Sequence, residues 1–234
     1  MSGVIGPDSP PQDVWSAISS EYHRPQEKNE VPHVHGWSYL STPLARRDQP
    51  KLVTIGLKPG GEWDVARDGP IQEDLSAEGK EPDFNAYFDQ PWNNTGFTPL
   101  QTQIQNLHKL HFQQVPKDEI LSFQYIPFRS PTWNEFPAAQ RQRAARFGTH
   151  LLDWTLANIG LETTVVGFGL GVVQDRIESW FRVIESRDIE VGWGNITATV
   201  CETPKCKRLI LLPHLSRYQI IGRKEFVRAD EVFQ

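Results

Sequence analysis

Leu52-Val53-Thr54-Ile55-Gly56-Leu57-Lys58-Pro59-Gly60-Gly61 is the stretch from which the fold is read. Four residues suited to a buried strand run into glycine, and proline and two further glycines then force a tight turn. The same grammar recurs downstream. Ile120 to Ile126 reads as a second strand, closed by Pro127. Thr163 to Val166 reads as a third, followed by Gly167-Phe168-Gly169-Leu170-Gly171. Arg208 to Leu212 reads as a fourth, followed by Pro213-His214-Leu215-Ser216-Arg217-Tyr218. Helical stripes lie between them: Leu100, Ile104, Leu107 and Leu110; Ala144, Phe147, Leu151 and Trp154, ended by Gly160; Val173, Ile177, Trp180 and Ile184. A last short helix is expected near Lys224 to Val232, and Ile196 to Val200 reads as a side strand of a hairpin. Strand alternating with helix predicts an α/β fold, a three-layer α/β/α sandwich around a mainly parallel sheet of four strands. Ligands of such sheets bind beyond the carboxyl ends of the strands, so chemistry is sought just after Ile55, Phe123, Val166 and Leu212.

Outward from this core, residues 1–50 read as an N-terminal arm packed on a domain spanning 51–234. The arm holds one helix, with Ser9 and Gln12 as a capping box and Val14, Ile18 and Tyr22 at helical spacing. Residues 60–98 form a long loop-rich stretch, and a loop of that length inside a compact domain is usually functional. The 234 residues carry 38% hydrophobic side chains, enough for a full core. With 24 Lys and Arg against 29 Asp and Glu, the net charge is -5, which excludes a generally basic coat but not a local basic face. Apolar runs are too short to span a membrane. Residues 1–20 lack a basic start before an apolar core, so no secretory signal is expected. Cys201 and Cys206 are too few for a disulfide scaffold, and a cytoplasmic location is the default. Gly167 to Val172 fails the dinucleotide fingerprint, and Gly56 to Gly61 lacks the Gly-Lys-Ser/Thr ending of a phosphate loop. His33 and His35 have no evident third ligand, so no metal is expected.

Gly56-Leu57-Lys58-Pro59-Gly60, then Gln124-Tyr125-Ile126-Pro127, then Pro213-His214-Leu215-Ser216, stand after strands one, two and four. In that order they resemble the motifs of the uracil-DNA glycosylase superfamily over roughly residues 50–220. The resemblance implies a monomeric, monofunctional, cofactor-free enzyme that flips a modified or damaged base out of DNA and hydrolyses its N-glycosidic bond. Two departures alter the expectation. Lys58 replaces the Asp, Asn or Glu that handles the hydrolytic water, and Gln124 replaces the usual Asn that reads the base. One branch carries alanine at the first position and a carboxylate farther along, so cleavage remains compatible with the pattern. Two cysteines cannot hold the four-cysteine cluster of some branches.

Residue by residue, the resemblance gives His214 the task of donating to the base O2 as charge builds there; a histidine capping the last helix is the plain alternative. Asp64 and Glu62 are candidates for the water. Lys58 would pair with one of them, hold a hydroxyl of a bulky base, or form a Schiff base. Gln124 suits a pyrimidine edge. Trp63, Phe97 and Trp92 are candidates to stack on the base, with Gly56 and Pro59 giving close backbone approach. Ser216, Arg217, Tyr218, Arg129 and Gly60 are assigned to the DNA strand, with Arg223 and Lys224 on a phosphate rim and Tyr218 or Leu215 as the wedge. Among diverged bacterial members of this kind are defence enzymes that excise glucosylated hydroxymethylcytosine from phage DNA. The rival expectations are repair of uracil or hypoxanthine, a non-catalytic DNA-binding relative, and hydrolysis of free nucleosides.

Overall fold

A computed structural model describes residues 5–61, 73–74, 77, 80–92 and 96–234. In chain order the strands are β1 (Trp37–Ser38), β2 (Leu52–Gly56), β3 (Glu73–Asp74), β4 (Ile120–Gln124), β5 (Thr164–Phe168), β6 (Glu185–Trp193), β7 (Ile196–Glu202) and β8 (Arg208–Leu212). The helices are α1 (Pro11–Glu27), α2 (Ala86–Asp89), α3 (Pro99–His111), α4 (Ala138–Thr155), α5 (Gln174–Phe181), α6 (Leu215–Tyr218) and α7 (Ala229–Phe233). The chain forms two compact units. One comprises Met1–Leu40, Leu57–Ser76 and Gln124–Ala157, the other Ser41–Gly56, Ala77–Phe123 and Asn158–Gln234.

The second unit is built on a mixed six-stranded sheet of order β4-β2-β5-β8-β7-β6. The class is α/β as expected, but the sheet has two strands more than the four predicted. β2 pairs in parallel with β5, and β5 with β8. β7 runs antiparallel to β8 and to β6, so the hairpin extends the sheet rather than standing beside it. Every residue of β2 and β4 is buried, as are four of five in β5 and in β8. Covering on both faces is what turns a strand into a continuous apolar run. The polar exceptions are paired: Thr54 Oγ1 donates to Ser122 Oγ at 2.7 Å, and Ser122 N donates to Thr42 Oγ1 at 3.0 Å.

One face of this sheet, through Leu52, Val166, Phe168, Ile210 and Leu212, packs with Ile104 and Leu107 of α3 and with Ile220, Phe226 and Phe233 of the C-terminal segment. Each such buried side chain contributes roughly 1.5–3 kcal/mol. α3 begins at a complete Thr98–Gln101 capping box. Its apolar stripe is shorter than predicted, because Leu110 is exposed. α5 likewise stops at Phe181 on a left-handed Arg182, leaving Ile184 exposed outside it. Buried Arg46 ties three backbone carbonyls, Pro82, Lys117 and Ile120, into the same unit. Leaving such acceptors unpaired costs about 1–3 kcal/mol each.

The first unit joins α1 and α4. Trp15 meets Trp154 edge-on at 5.4 Å, Trp154 Nε1 donates to Ser9 O at 2.8 Å, and Arg143 bridges Glu21 (2.7 Å) and Glu30 (3.0 Å). Val14, Ile18 and Tyr22 are buried as their spacing predicts. The Ser9 cap does not form: Pro11 opens the helix, and Ser9 Oγ accepts instead from Gly6 N. α4 ends at Thr155, ahead of Gly160. β1 and β3 pair in parallel as a separate two-stranded ribbon.

Candidate functional site

Register decides what meets at the end of the large sheet. Gly56, Phe168 and Leu212 are opposed residues of three adjacent parallel strands, so β2, β5 and β8 finish side by side. Gly169 N donates to Leu212 O at 3.1 Å, extending the β5–β8 ladder by one bond. The chain then turns through Pro213 into His214, whose carbonyl accepts from Arg217 N (3.1 Å) and Tyr218 N (3.0 Å) and so starts α6.

The exposed His214 ring is fixed on two sides. Ser216 Oγ lies 2.9 Å from Nδ1. With the hydroxyl donating, the ring proton sits on Nε2 and makes that nitrogen a hydrogen-bond donor. Beneath the ring lies Gly169 at φ +68°, where an added Cβ would stand 3.1 Å from His214 Cδ2. Glycine there serves both a left-handed turn and the seat of the imidazole. The cap predicted as the plain alternative is also present, since His214 is the residue before α6. It is made by the backbone carbonyl of His214 and not by the ring.

A row of cations and aromatics flanks this histidine. Arg217 lies over the Tyr218 ring at 5.3 Å, Tyr218 meets Trp193 at 6.1 Å, and Arg223 covers Trp193 at 4.2 Å. Trp193 ends β6 at the hairpin tip. Gly192 beside it comes so close to Glu225 that a Cβ would fall 2.2 Å from the Glu225 carbonyl oxygen, so only glycine lets the hairpin dock there. Sequence reading missed Trp193. Its one signal was the Gly192-Trp193-Gly194 triplet, an aromatic held between two glycines of positive φ.

The Pro-Gly bend belongs to the other unit. Leu57 O accepts from Ile126 N at 2.9 Å, Pro59 O from Ser130 N at 3.4 Å, and Gly60 O from Arg129 Nη1 at 3.1 Å. Lys58 Nζ donates to Ser130 O at 2.5 Å and to Pro59 O at 3.3 Å. Burial brings its pKa down to about 8, with Glu135 opposing and Arg129 adding to the shift. Gln124, the last residue of β4, is buried, and its backbone N–H donates to Tyr39 O. Lys58, Arg129, Pro59 and Gly60 are thus brought together, as are His214, Ser216, Arg217 and Tyr218.

Other assignments fare differently. Glu62, Trp63 and Asp64 lie outside the described residues. Phe97, just before α3, and Trp92, packed against Tyr87 at 5.2 Å, are each 41% exposed. Leu215 is fully buried in the core, which excludes it as a wedge and leaves Tyr218. Arg223 is occupied by Trp193 and by Glu225 at 3.4 Å, while Lys224 is exposed. A cavity of about 320 Å³ between α3 and the C-terminal segment is lined by none of His214, Ser216 or Tyr218. Burial pushes both cysteine thiols up to about 12, so neither is a nucleophile at neutral pH. Among the described residues no group of three His, Cys, Asp or Glu is arranged to hold a metal. No helix among them is long and apolar enough to cross a membrane. Comparison with known proteins finds no family model that matches the chain and no curated relative.

Proposed function

We propose that the chain is a DNA glycosylase on a three-layer α/β/α scaffold of the uracil-DNA glycosylase kind, acting on a flipped, modified pyrimidine and leaving an abasic site. One observation carries the reading: the register that ends β2, β5 and β8 together, with His214 seated on Gly169 and oriented by Ser216. In the reaction, Nε2–H of His214 donates to the base O2, a bond that strengthens as the base departs with its electron pair. Arg217 and Arg223 hold phosphates, and Tyr218 and Trp193 stack on bases of the strand. By the resemblance, Gln124 would read the base edge, and Asp64 or Glu62, both outside the described residues, would orient the water. The changed motif-one residue and long 60–98 segment favour a base larger than uracil. Glucosylated hydroxymethylcytosine in phage DNA is the specific proposal, and cytoplasmic antiviral defence by a monomer the setting. Lys58, standing where an acid is expected, favours a second reading, a DNA-binding relative that does not cleave.

The test incubates the protein with T-even phage DNA, uracil DNA and hypoxanthine DNA, followed by alkali. Breaks in phage DNA alone support the proposal. Breaks in uracil or hypoxanthine DNA move the chain to repair, and salt-sensitive binding without breaks supports the second reading. His214→Ala is expected to lower turnover by roughly 10²–10³ while leaving DNA affinity nearly unchanged. Equal losses in both would remove His214 from the chemistry.

A further inference from the structure

Leu110, in the last turn of α3, continues the apolar stripe yet is 51% exposed. It borders the cavity of about 320 Å³ between α3 and the C-terminal segment. Both sides of this cavity are fixed. Gln103 Oε1 accepts from Ile221 N at 2.8 Å and Gln103 Nε2 donates to Ile221 O at 3.3 Å, which clamps the segment to α3 immediately before Gly222. Arg187 of β6 and Arg208 of β8 donate to Glu231 O and Val232 O at 3.0 and 3.3 Å, which ties α7 to the sheet. Gly222, at φ +83°, makes the turn beside the cavity, and a Cβ there would meet Leu110 Cδ1 at 3.5 Å. The opening is therefore bounded by anchored elements, and a preformed site binds without the cost of ordering its walls.

The lining joins aromatic planes to polar groups that the described residues leave uncommitted. His111 and Phe233 stack at 4.1 Å, and Phe226 stands at 68° to Phe233. A flat ring can lie along one of these planes and meet the other at its edge. The ring nitrogens of His111, the Asp230 carboxylate and the Gln234 side-chain amide have no hydrogen-bond partner among the described residues. Arg223 lies on Trp193 at 4.2 Å and holds Glu225 through Nε at 3.4 Å, and its two terminal nitrogens make no hydrogen bond among those residues. Arg223 and Asp230 thus line one cavity without pairing with each other. Burial holds the His111 ring below the ordinary histidine range against the nearby Asp230, so at neutral pH it offers one donor and one acceptor.

A ligand that answers this set needs a flat apolar body, an anionic group for the Arg223 fork and an N–H donor for Asp230. We propose that the cavity is a nucleotide site, with the phosphate on Arg223, the base along Phe226 and Phe233, and an amino or ring N–H of the base on Asp230. A volume of about 320 Å³ stands at the lower end of the roughly 300–1,000 Å³ range of ligand pockets, which suits a ligand of one nucleotide's size. An aromatic amino acid carries the same three features. The nucleotide is preferred because Arg223 joins the cavity to Trp193 and Tyr218, the row along which the proposed function lays a DNA strand. That choice of ligand rests on the proposed function, whereas the site itself does not. A free nucleotide and a nucleotide of that strand present the same base and phosphate.

The experiment titrates the full chain, by calorimetry, with deoxynucleoside monophosphates, the matching phosphate-free nucleosides, tyrosine and phenylalanine. The monophosphates are expected to bind, and the nucleosides and both amino acids to bind more weakly by about tenfold or more. Leu110→Trp, at an exposed position, fills the mouth and should abolish binding. Asp230→Ala should weaken it by about tenfold or more. Asp230 is exposed and unpaired, so this variant decides even if Leu110→Trp fails to fold. No binding at millimolar monophosphate, nucleosides bound as well as monophosphates, amino acids preferred, or binding unchanged in folded variants overturns the proposal. A single-stranded oligonucleotide that displaces the monophosphate assigns the site to the strand, and one that does not assigns it to a free nucleotide; either result upholds a nucleotide site. The readout involves no cleavage. A chain that binds monophosphates but releases no base would refute the glycosylase and leave the cavity's assignment standing, and the converse result would do the reverse.

Discussion

Gly169→Ala separates the seat of His214 from the fold that carries it. The substitution has two consequences of different size. Gly169 has φ +68°, and an L-residue held in that region loses about 1–2 kcal/mol. For a chain of this size each kcal/mol lowers Tm by about 2–4 °C, so the loss expected is about 2–8 °C. The new Cβ also stands 3.1 Å from His214 Cδ2, 3.6 Å from Cγ and 3.7 Å from Cβ. The exposed ring has room to give by a few tenths of an ångström, so the clash adds little to the stability loss. It does move Nε2 and stretch the 2.9 Å contact of Nδ1 with Ser216. A displacement of about 1 Å in a reacting group costs about a hundredfold in rate, and a fraction of that displacement about tenfold. Single-turnover release of abasic sites and a thermal melt read the two effects separately. Gly171→Ala is the control: its Cβ would meet open space, and it has no positive φ, so both measurements should stay at the parent values. His214→Ala placed on top of Gly169→Ala should lose less than the two single changes combined, because both act through one imidazole. A lowered melt with parental turnover, or additive losses in the double variant, would refute the claim that the seat of the ring matters.

Trp193→Ala should weaken single-stranded DNA binding by about 1–3 kcal/mol with little change in the salt slope, since it removes stacking and no charge; titration by fluorescence anisotropy at several salt concentrations measures both, and unchanged affinity would make Trp193 a purely structural partner of Arg223. His33, stacked on Phe128 at 4.7 Å and Tyr22 at 5.6 Å, is held down to about 4 first by burial and then by Arg143. The unfolded chain therefore takes up its proton first, and stability present above pH 6.5 should fall by roughly 2–3 kcal/mol as pH drops toward 4; urea unfolding at steps of pH should show this loss in the parent chain and a flatter profile in His33→Phe.

Burial governs how much of the fold was legible in the sequence. Leu52–Gly56, Ile120–Gln124, Thr164–Phe168 and Arg208–Leu212 could be read because they are covered on both faces and so stand out as short apolar runs. β6 could not, since only Ile189 and Val191 of its nine residues are buried. An edge strand with one thin apolar face looks like a charged loop until its partner β7 is known. Leu110 and Ile184 extended their helical stripes by one turn because apolar identity alone does not say where a core ends. Ser9 and Gln12 satisfied a capping pattern, but Pro11 fixed the helix start by its own φ. The position of His214 and Ser216 was legible because strand order places the segment after β8 at the carboxyl edge of the sheet. Trp193 was hidden because sheet pairing, not sequence distance, carries the β6–β7 tip to Tyr218 and Arg223.

The charge balance sets what kind of DNA binding the proposed function would require. A net charge of -5 works against long-range attraction to a polyanion. The cations of the His214 row do not form a broad field: Arg223 is partly neutralised by Glu225, and both Arg223 and Arg217 are laid flat on aromatic rings. A stacked guanidinium keeps its edges for a phosphate while its face contributes packing, so a few such contacts fix orientation rather than supply bulk affinity. If the chain is the glycosylase proposed, it should dissociate readily from ordinary DNA and be retained by the base it removes. That selectivity suits a glycosylase aimed at a modification more than one that must patrol every sequence.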